Sequence, residues 1–396
     1  MNMNNDKDTS MMLDIFLDNI DDFPLAINYN NNNTKKIIKR FYNALHKIEN
    51  TKKTNYTQKI VDINDTNTNM KDLLNSNFTP KPIKNEMDKI KNVMEFNVPN
   101  IQGIPIKIIF LLVPNIEPKM YLFYFHKICS WLQFIIPYSN SKMKSFKLIL
   151  YLSDFKKKIP NNQTEILNNI NCNTAVTYAC AINGSCLIYR KEEWFKVMMH
   201  ETMHAFCLDF SGLDYKDLRS KVKQTFPLKI DFEISEGYSE FWALILNSVF
   251  KTYYILETDK DVNSFDNFYH VFSSMIYLEI TFSLFQCVKI MKFMNIDYED
   301  LYSNKVIYKQ KTNVFEYYII KLLFLYNYND FLKMCDENNT NCINFYKSKS
   351  MLNKIGNFIK EYHNKDNFLQ SLNYMKEFFD KIKNNFLKNT LRMSMF

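Results

Sequence analysis

The chain has 396 residues, of which 46% are hydrophobic and 23% are charged, and its formal net charge is +8. This composition is too apolar for a disordered chain, and with 5 Gly and 10 Pro it excludes a collagen-like or glycine-rich fold. Residues 341–396 hold much of the positive charge, with ten Lys or Arg against four Asp or Glu. Apolar residues recur there at helical spacing, so the basic residues are interpreted as a solvated helix face. We expect no nucleic-acid partner, although a nucleic-acid-associated protein stays open as an alternative.

The beginning of the chain and its cysteines predict a non-secreted, intracellular protein. The first residues are polar, without the basic flank and apolar run of a secretion signal. The eight cysteines are scattered, and we predict free thiols in a reducing compartment. The longest apolar stretch, residues 267–288, contains Glu279 near its middle. A central carboxylate costs a membrane helix about 2.5 to 3.5 kcal/mol, so we predict a buried core helix and no transmembrane segment.

Residues 1–98 are predicted to be a polar, partly disordered region with one or two helices. The best amphipathic pattern is that of residues 35–48, which predicts a helix. Asn-rich and Thr-rich stretches lie on both sides of it, at residues 28–34 and 50–77, and we expect loops or disorder there.

A denser region follows from residue 99 onward. Its apolar runs predict a helix at residues 119–136 and strands at residues 104–113, 146–153, 174–180 and 185–189. The turn signal Asn183-Gly184 predicts that the last two strands form a hairpin. We expect residues 185–189 to be the edge of the sheet. Helical periodicity dominates the rest of the chain.

One segment combines the residue types that metal chemistry needs, because His200, Glu201 and His204 form an H-E-x-x-H motif. No helix breaker lies between residues 192 and 208. Four residues are about one helical turn, so the two imidazoles project from the same face and can share one metal ion. The rest of this helix is apolar, and burying these polar groups without a common purpose would be costly. The motif therefore predicts a zinc site with Glu201 as general base.

A catalytic zinc also needs a third protein ligand and an open position for water. The metzincin pattern fails here, because Cys207 and Phe210 stand where it requires glycine and histidine. A purely structural zinc site would need a fourth protein ligand, for which Cys207 and Glu233 are the candidates.

The third ligand is expected on a second predicted helix, where Glu236 and Glu240 lie one turn apart on one face. We predict that Glu236 is the ligand, since Gly237 after it would let the helix approach the metal closely. Glu233 is the alternative ligand. Glu240 is predicted to accept a hydrogen bond from the imidazole of His200, the alternative being a solvent-facing carboxylate.

The E-G-Y-S-E run at residues 236–240 resembles the N-E-G-[FY]-[AS]-E stretch of gluzincin peptidases. This resemblance implies that Glu236 binds zinc. The 31 residues between His204 and Glu236 exceed the gap in the best-known gluzincins, and an inserted helix at residues 215–225 would account for the difference. The block at residues 186–212 resembles metallopeptidases of giant nucleocytoplasmic DNA viruses. It implies a peptide-bond hydrolase located in the host cytoplasm or the virion.

We therefore predict an α+β fold, with a small sheet, the active-site helix and the glutamate helix within residues 99–260. A mainly helical C-terminal subdomain follows at residues 261–396. The predicted function is a zinc-dependent metallopeptidase that hydrolyses a peptide or protein substrate through a metal-activated water. The alternative is a non-catalytic viral structural or interaction protein that retains a structural zinc site. Candidates for stabilising the oxyanion are Tyr238 and His270, together with Tyr253 and Tyr254. Three further histidines, His46, His126 and His363, are interpreted as structural.

Overall fold

The computed structural model describes residues 7–23, 25, 28, 31–51, 54–65, 79–114, 116–303 and 306–396. The strands are β1 (Thr57–Asp62), β2 (Asn92–Ile101), β3 (Ile104–Leu111), β4 (Ser145–Leu150), β5 (Ala175–Thr177) and β6 (Asn183–Ile188). The first helices are α1 (Lys7–Leu17), α2 (Asn32–Asn50), α3 (Lys81–Met87), α4 (Pro118–Ile135), α5 (Asn169–Cys172), α6 (Trp194–Ala205) and α7 (Lys216–Thr225). They are followed by α8 (Ile234–Thr258), α9 (Phe265–Met294), a π-helix (Glu316–Ile320), α10 (Lys321–Tyr326), α11 (Tyr328–Asn338), α12 (Lys349–Tyr362), α13 (Asp366–Lys381) and α14 (Asn385–Asn389). Short 3-10 helices occur at Ile20–Asp22, Ile63–Asp65, Ile136–Tyr138 and Tyr298–Tyr302.

The fold class is α+β, as predicted, and the chain forms two compact units. The sheet unit comprises Asn43–Lys157 and Asn173–Gly212. The helical unit comprises Met1–Tyr42, Lys158–Cys172 and Leu213–Phe396. The helices predicted at residues 35–48, 119–136 and 215–225 are confirmed as α2, α4 and α7. The domain bounds at residues 98 and 260 stay a prediction.

The sheet unit is built on a six-stranded mixed sheet with the order β1-β2-β3-β4-β6-β5. β4 is parallel to both of its neighbours, β3 and β6, and the other pairs are antiparallel. One face packs on α4, where the rings of Phe96 and Phe125 stack with centroids 4.3 Å apart. The other face carries a second apolar cluster, in which Ile109, Ile149 and Leu187 are buried together with Ile83 of α3. These strands are apolar on both faces because both faces are covered.

The sheet is larger than predicted, because β1 and β2 precede the strands expected from the sequence. β1 lies inside residues 50–77, for which we expected loops or disorder. Its side chains are largely exposed, and it is held by antiparallel backbone pairing with β2. An exposed edge strand lacks the alternating apolar pattern by which strands are recognised. Residues 66–78 of the same stretch lie outside the described residues.

The hairpin of β5 and β6 is confirmed, but two details of its prediction were wrong. Asn183 and Gly184 belong to β6 rather than to the turn, and they pair with Ser145 and Phe146 of β4. A Cβ atom on Gly184 would lie 2.5 Å from Cε of Met143, so the glycine serves a close approach and not a turn. β6 is also not the sheet edge, since β4 flanks it on one side and β5 on the other.

In the helical unit, α9 is the apolar helix that was predicted to be a buried core helix. Among the described residues it is the helix long and apolar enough to cross a membrane, and 83% of its apolar window is buried inside the protein. Its central carboxylate, Glu279, accepts hydrogen bonds from the backbone N–H of Met395 at 3.0 Å and the hydroxyl of Ser394 at 2.7 Å. Burial raises the pKa of Glu279, and these hydrogen bonds oppose the rise. The polar group that interrupts the apolar run is thus satisfied within the core.

Residues 390–396 pass through the interior of the helical unit. Lys289 donates to the carbonyl of Thr390 at 2.5 Å, and Arg392 donates to the hydroxyl of Thr9 in α1 at 3.1 Å. These two basic residues are buried. Of these two, only Arg392 belongs to the basic excess of residues 341–396, and the other nine basic residues of that segment are exposed or half-buried, largely on the amphipathic helices α12 and α13 as predicted.

The prediction of free thiols was wrong for two of the eight cysteines. Cys180, in the β5–β6 connection, forms a disulfide with Cys207, just after α6, with their Cα atoms 5.0 Å apart. The two residues are 27 positions apart in sequence, so their proximity depends on the packing of α6 against the sheet. The other six cysteines are buried.

Candidate metal centre

The H-E-x-x-H motif lies on α6, which packs on β5 and β6 in the sheet unit. The indole N–H of Trp131 donates to the hydroxyl of Thr202 at 2.9 Å and ties the helix to α4. Every residue of α6 is buried except Phe195 and Glu201. The predicted general base is therefore the polar side chain of this helix that keeps partial exposure, while both histidines beside it are buried.

The start of α6 is anchored by buried charges that the sequence did not reveal. Glu193 adopts a left-handed backbone conformation with φ of 56° and forms an ion pair with Lys157. Glu192 accepts a hydrogen bond from the backbone N–H of Lys157 at 2.8 Å. Lys196, one turn into the helix, is also buried, 3.9 Å from Glu193. These pairs orient the first turn, and one turn later the helix presents His200.

His200 and His204 lie on the same face of α6, as the spacing of the motif predicts. Their Nε2 atoms are 3.1 Å apart. Two nitrogens bound to one tetrahedral zinc at about 2.0 to 2.1 Å would be separated by about 3.3 Å. Both side chains are buried, so the pair is preorganised at the separation that one shared ion requires.

Asp209 is a site residue that the sequence analysis missed. Its Oδ2 lies 2.6 Å from Nδ1 of His204, and its Oδ1 accepts a hydrogen bond from the Ser211 hydroxyl at 3.0 Å. Asp209 is itself buried. A carboxylate on Nδ1 fixes the proton there and leaves Nε2 of the same ring as a lone-pair donor for a metal. Asp209 follows His204 by only five residues, so its closeness in sequence was a possible signal. However, α6 ends between the two residues, and helical periodicity does not predict a contact across a helix end.

Glu236 lies in the first turn of α8, two positions after its first residue. One ligand atom from each of His200, His204 and Glu236 lies within 4.8 Å of the others. These three residues are thus a possible metal site, and they are the set that the sequence analysis assigned. Their roles in binding or catalysis stay predictions.

The alternative ligand, Glu233, is engaged elsewhere. Its carboxylate is 2.5 Å from the guanidinium of Arg219 and accepts a hydrogen bond from the Tyr215 hydroxyl. Burial, followed by the hydrogen bond to Glu233, raises the pKa of Tyr215, so this hydroxyl keeps its proton. Both partners come from α7 or the residue before it, the helix predicted as an insertion between His204 and Glu236.

A π-helix packs beside Glu236, and no sequence signal pointed to it. The hydroxyl of Tyr317 donates to Oε2 of Glu236 at 3.0 Å. The preceding residue, Glu316, accepts a hydrogen bond from the backbone N–H of Glu233 at 2.9 Å. Burial raises the pKa of Glu316 to about 7, with the hydrogen bond from Glu233 opposing the rise and the charge of Glu236 adding to it. π-Helices are rare and occur frequently at functional sites.

Gly237 has a different role from the one predicted. A Cβ atom there would lie 2.7 Å from Cγ2 of Ile320 and 3.3 Å from the carbonyl oxygen of Glu316. The glycine therefore makes room for the π-helix, which carries Tyr317, rather than for a metal ion.

The candidates for stabilising the oxyanion lie in varied surroundings. The Tyr238 hydroxyl donates to the carbonyl of Ile343 at 2.8 Å and accepts from the Asn339 amide at 2.9 Å, deep in the helical unit. Tyr253 and Tyr254 are buried, and His270 is exposed on α9. None of these observations supports a role at the metal centre, and sequence reasoning had no means of choosing among them.

The remaining predicted residues are placed as follows. Glu240 is buried, so the solvent-facing alternative was wrong, while its hydrogen bond to His200 stays a prediction. Cys207 is in the disulfide. His46 contacts the Asn50 amide at 3.0 Å, and Nδ1 of His363 contacts the carbonyl of Lys360 at 2.8 Å, both local contacts of the structural kind expected. His126 is exposed on α4.

Comparison with known proteins adds one relation. The chain is 26% identical over 182 residues to an uncharacterized protein of Acanthamoeba polyphaga mimivirus, and the match covers 44% of each protein. The chain thus spans less than half of the length of this relative. No protein-family model and no solved structure matches the chain. The similarity suggests a viral origin and carries no activity with it.

Proposed function

We propose that the protein is a zinc-dependent metallopeptidase of the gluzincin type. The observation that carries the proposal is the convergence of ligand atoms from His200, His204 and Glu236 within 4.8 Å. Two imidazoles and one carboxylate are a ligand set of catalytic zinc sites, which keep a further position for water or substrate.

The donor chemistry fits zinc. Asp209 holds the proton on Nδ1 of His204, so Nε2 is available as a ligand, and the Nε2 atoms of the two histidines are 3.1 Å apart. Imidazole nitrogen suits zinc, whereas magnesium and calcium prefer oxygen ligands. Nickel, copper and iron accept the same donors, so metal analysis must identify the ion.

Glu201 is the proposed general base. It follows His200 on α6, and it keeps partial exposure where its neighbours on the helix are buried. When bound, zinc lowers the pKa of a coordinated water towards about 7 and polarises the scissile carbonyl. The Glu201 carboxylate accepts the proton of the attacking water and delivers it to the leaving amine nitrogen.

The residues available as a fourth ligand favour a catalytic over a structural site. Cys207 is bonded to Cys180, and the Glu233 carboxylate is held by Arg219 and Tyr215. A closed structural site would need one of these side chains to be released. This argument supports an open coordination position, which hydrolysis requires.

The test combines metal analysis with cleavage of a mixed-sequence peptide library by the full-length protein. We expect one zinc per chain in the wild type and its loss in His204→Ala. Glu201→Gln should retain zinc and the wild-type melting temperature while losing at least 100-fold in cleavage rate, because an amide does not accept the proton. Equal cleavage by the wild type and Glu201→Gln would refute Glu201 as the base. Wild-type protein that binds zinc and cleaves no peptide would support the alternative, a non-catalytic viral protein with a zinc site.

A further inference from the structure

The structure assigns a positioning role to Tyr317: we propose that its hydroxyl orients the carboxylate of Glu236 for metal binding. This inference rests on the proposed function, in which Glu236 is a ligand. Nothing in the sequence pattern singles out Tyr317, which is one of 25 tyrosines and lies 81 positions after Glu236.

The contact is specific to one oxygen of the carboxylate. The Tyr317 hydroxyl donates to Oε2 of Glu236 at 3.0 Å, and the tyrosine side chain is largely buried, with 8% exposure. A glutamate side chain has several rotatable bonds, and a fixed donor on one oxygen removes much of that freedom. The metal then meets a carboxylate whose plane is already set, which is the way in which partners of metal ligands raise affinity.

The backbone around Tyr317 packs closely against the first turn of α8. Tyr317 is the second residue of the π-helix, and Gly237, next to Glu236, lets that helix approach so closely that a Cβ atom would overlap Ile320. On the other side of Glu236, the backbone N–H of Glu233 donates to the Glu316 carboxylate at 2.9 Å. Two contacts therefore hold the π-helix against the first turn of α8 and fix the distance between Tyr317 and Glu236.

Tyr318 supplies a matched control from the same π-helix. Its hydroxyl is also buried and donates a hydrogen bond, at 2.7 Å, but to the carbonyl of Leu391 instead of a predicted ligand. Tyr317→Phe and Tyr318→Phe each remove one hydroxyl from this π-helix. A purely structural effect would appear in both variants, whereas an effect on the carboxylate of Glu236 would appear in the first alone.

The experiment measures zinc affinity by chelator competition in the full-length wild type and both variants. Cobalt(II) is then substituted, and its visible absorption reports the coordination geometry. We expect Tyr317→Phe to bind zinc 10- to 100-fold more weakly and to change the cobalt spectrum, and Tyr318→Phe to match the wild type in both. Wild-type affinity and spectrum in Tyr317→Phe, or equal losses in the two variants, would overturn the positioning role while leaving the metal site intact. A wild type that binds neither ion would overturn the proposed function itself.

Discussion

The histidine helix α6 and the glutamate helix α8 hold their predicted ligands in different ways. On α6, the two histidines are one turn apart, and Asp209, which orients one of them, follows within five residues. On α8, the partner of Glu236 is Tyr317, 81 positions away, and the fit between the helices depends on Gly237. The histidine half is thus assembled by local geometry, and the glutamate half by tertiary packing. Single substitutions should therefore act differently on the two halves.

The largest effect is expected at the carboxylate itself. Glu236→Ala should nearly abolish zinc binding, because it removes one of three protein ligands. Glu233→Ala is the matched control, since it removes a carboxylate three residues earlier that pairs with Arg219. It should retain zinc, and its loss of folding stability should be about 1 to 3 kcal/mol, because it removes the acceptor of the buried Tyr215 hydroxyl, while the partly exposed pair with Arg219 contributes little. Zinc titration and thermal unfolding measure the two quantities. Zinc retained by Glu236→Ala and lost by Glu233→Ala would move the ligand along α8.

A smaller effect is expected at the local partner of the histidine half. Asp209→Asn keeps the size of the side chain and removes the charge that fixes the Nδ1 proton of His204. Zinc affinity should fall by about 10- to 100-fold. Ser211→Ala removes only the hydrogen bond to the other oxygen of Asp209 and should change affinity by less. If competition titration finds Asp209→Asn equal to the wild type, the carboxylate does not orient the ligand.

The smallest effect on zinc binding is expected from a change of packing, which acts first on folding stability. Gly237→Ala inserts a methyl group 2.7 Å from Ile320, so the π-helix must shift, and we expect a loss of about 1 to 3 kcal/mol in the free energy of unfolding. Gly212→Ala is the control in the sheet unit, where the nearest atom, Sγ of Cys180, would be 4.0 Å away. Its stability in denaturant should stay within about 0.5 kcal/mol of the wild type. Equal stability of both variants would show that α8 does not need the glycine.

The contrast between the two helices also explains which site residues could be predicted from the sequence. The pairing of His200 with His204 follows from the helical repeat, so it was predictable from spacing alone. Glu236 could be ranked above Glu233 by its run of neighbours, but the reason that Glu233 is engaged, its contact with Arg219, depends on how α7 packs against the residues just before α8. Tyr317 and its π-helix could not be predicted, because a π-helix of five residues is too short for its periodicity to be told from that of an α-helix.

The strands of the sheet also differ in whether the sequence around them predicts them. Apolar strands such as β3 and β4 were found because burial leaves a pattern in the sequence. β1 was missed because its largely exposed side chains leave none, and its pairing with β2 depends on the tertiary fold. Gly184 was interpreted as a turn residue, but it lies within β6, and the side chain of Met143 packs against it. A glycine in a sequence indicates either a turn or a close approach to the backbone, and the sequence alone does not distinguish the two.

The discontinuity of the helical unit has a consequence for how the protein is made. The sheet unit is complete once Gly212 has been synthesised. By contrast, α1 waits for its contacts, since Thr9 bonds to Arg392, 383 positions later. At about 5 to 20 residues per second, that wait is roughly 20 to 80 seconds. During it, Phe16 of α1 lacks Phe378, the ring it meets in the folded protein at 5.8 Å. Part of the surface that α1 buries in the folded protein thus stays uncovered until residues 378–392 have been synthesised.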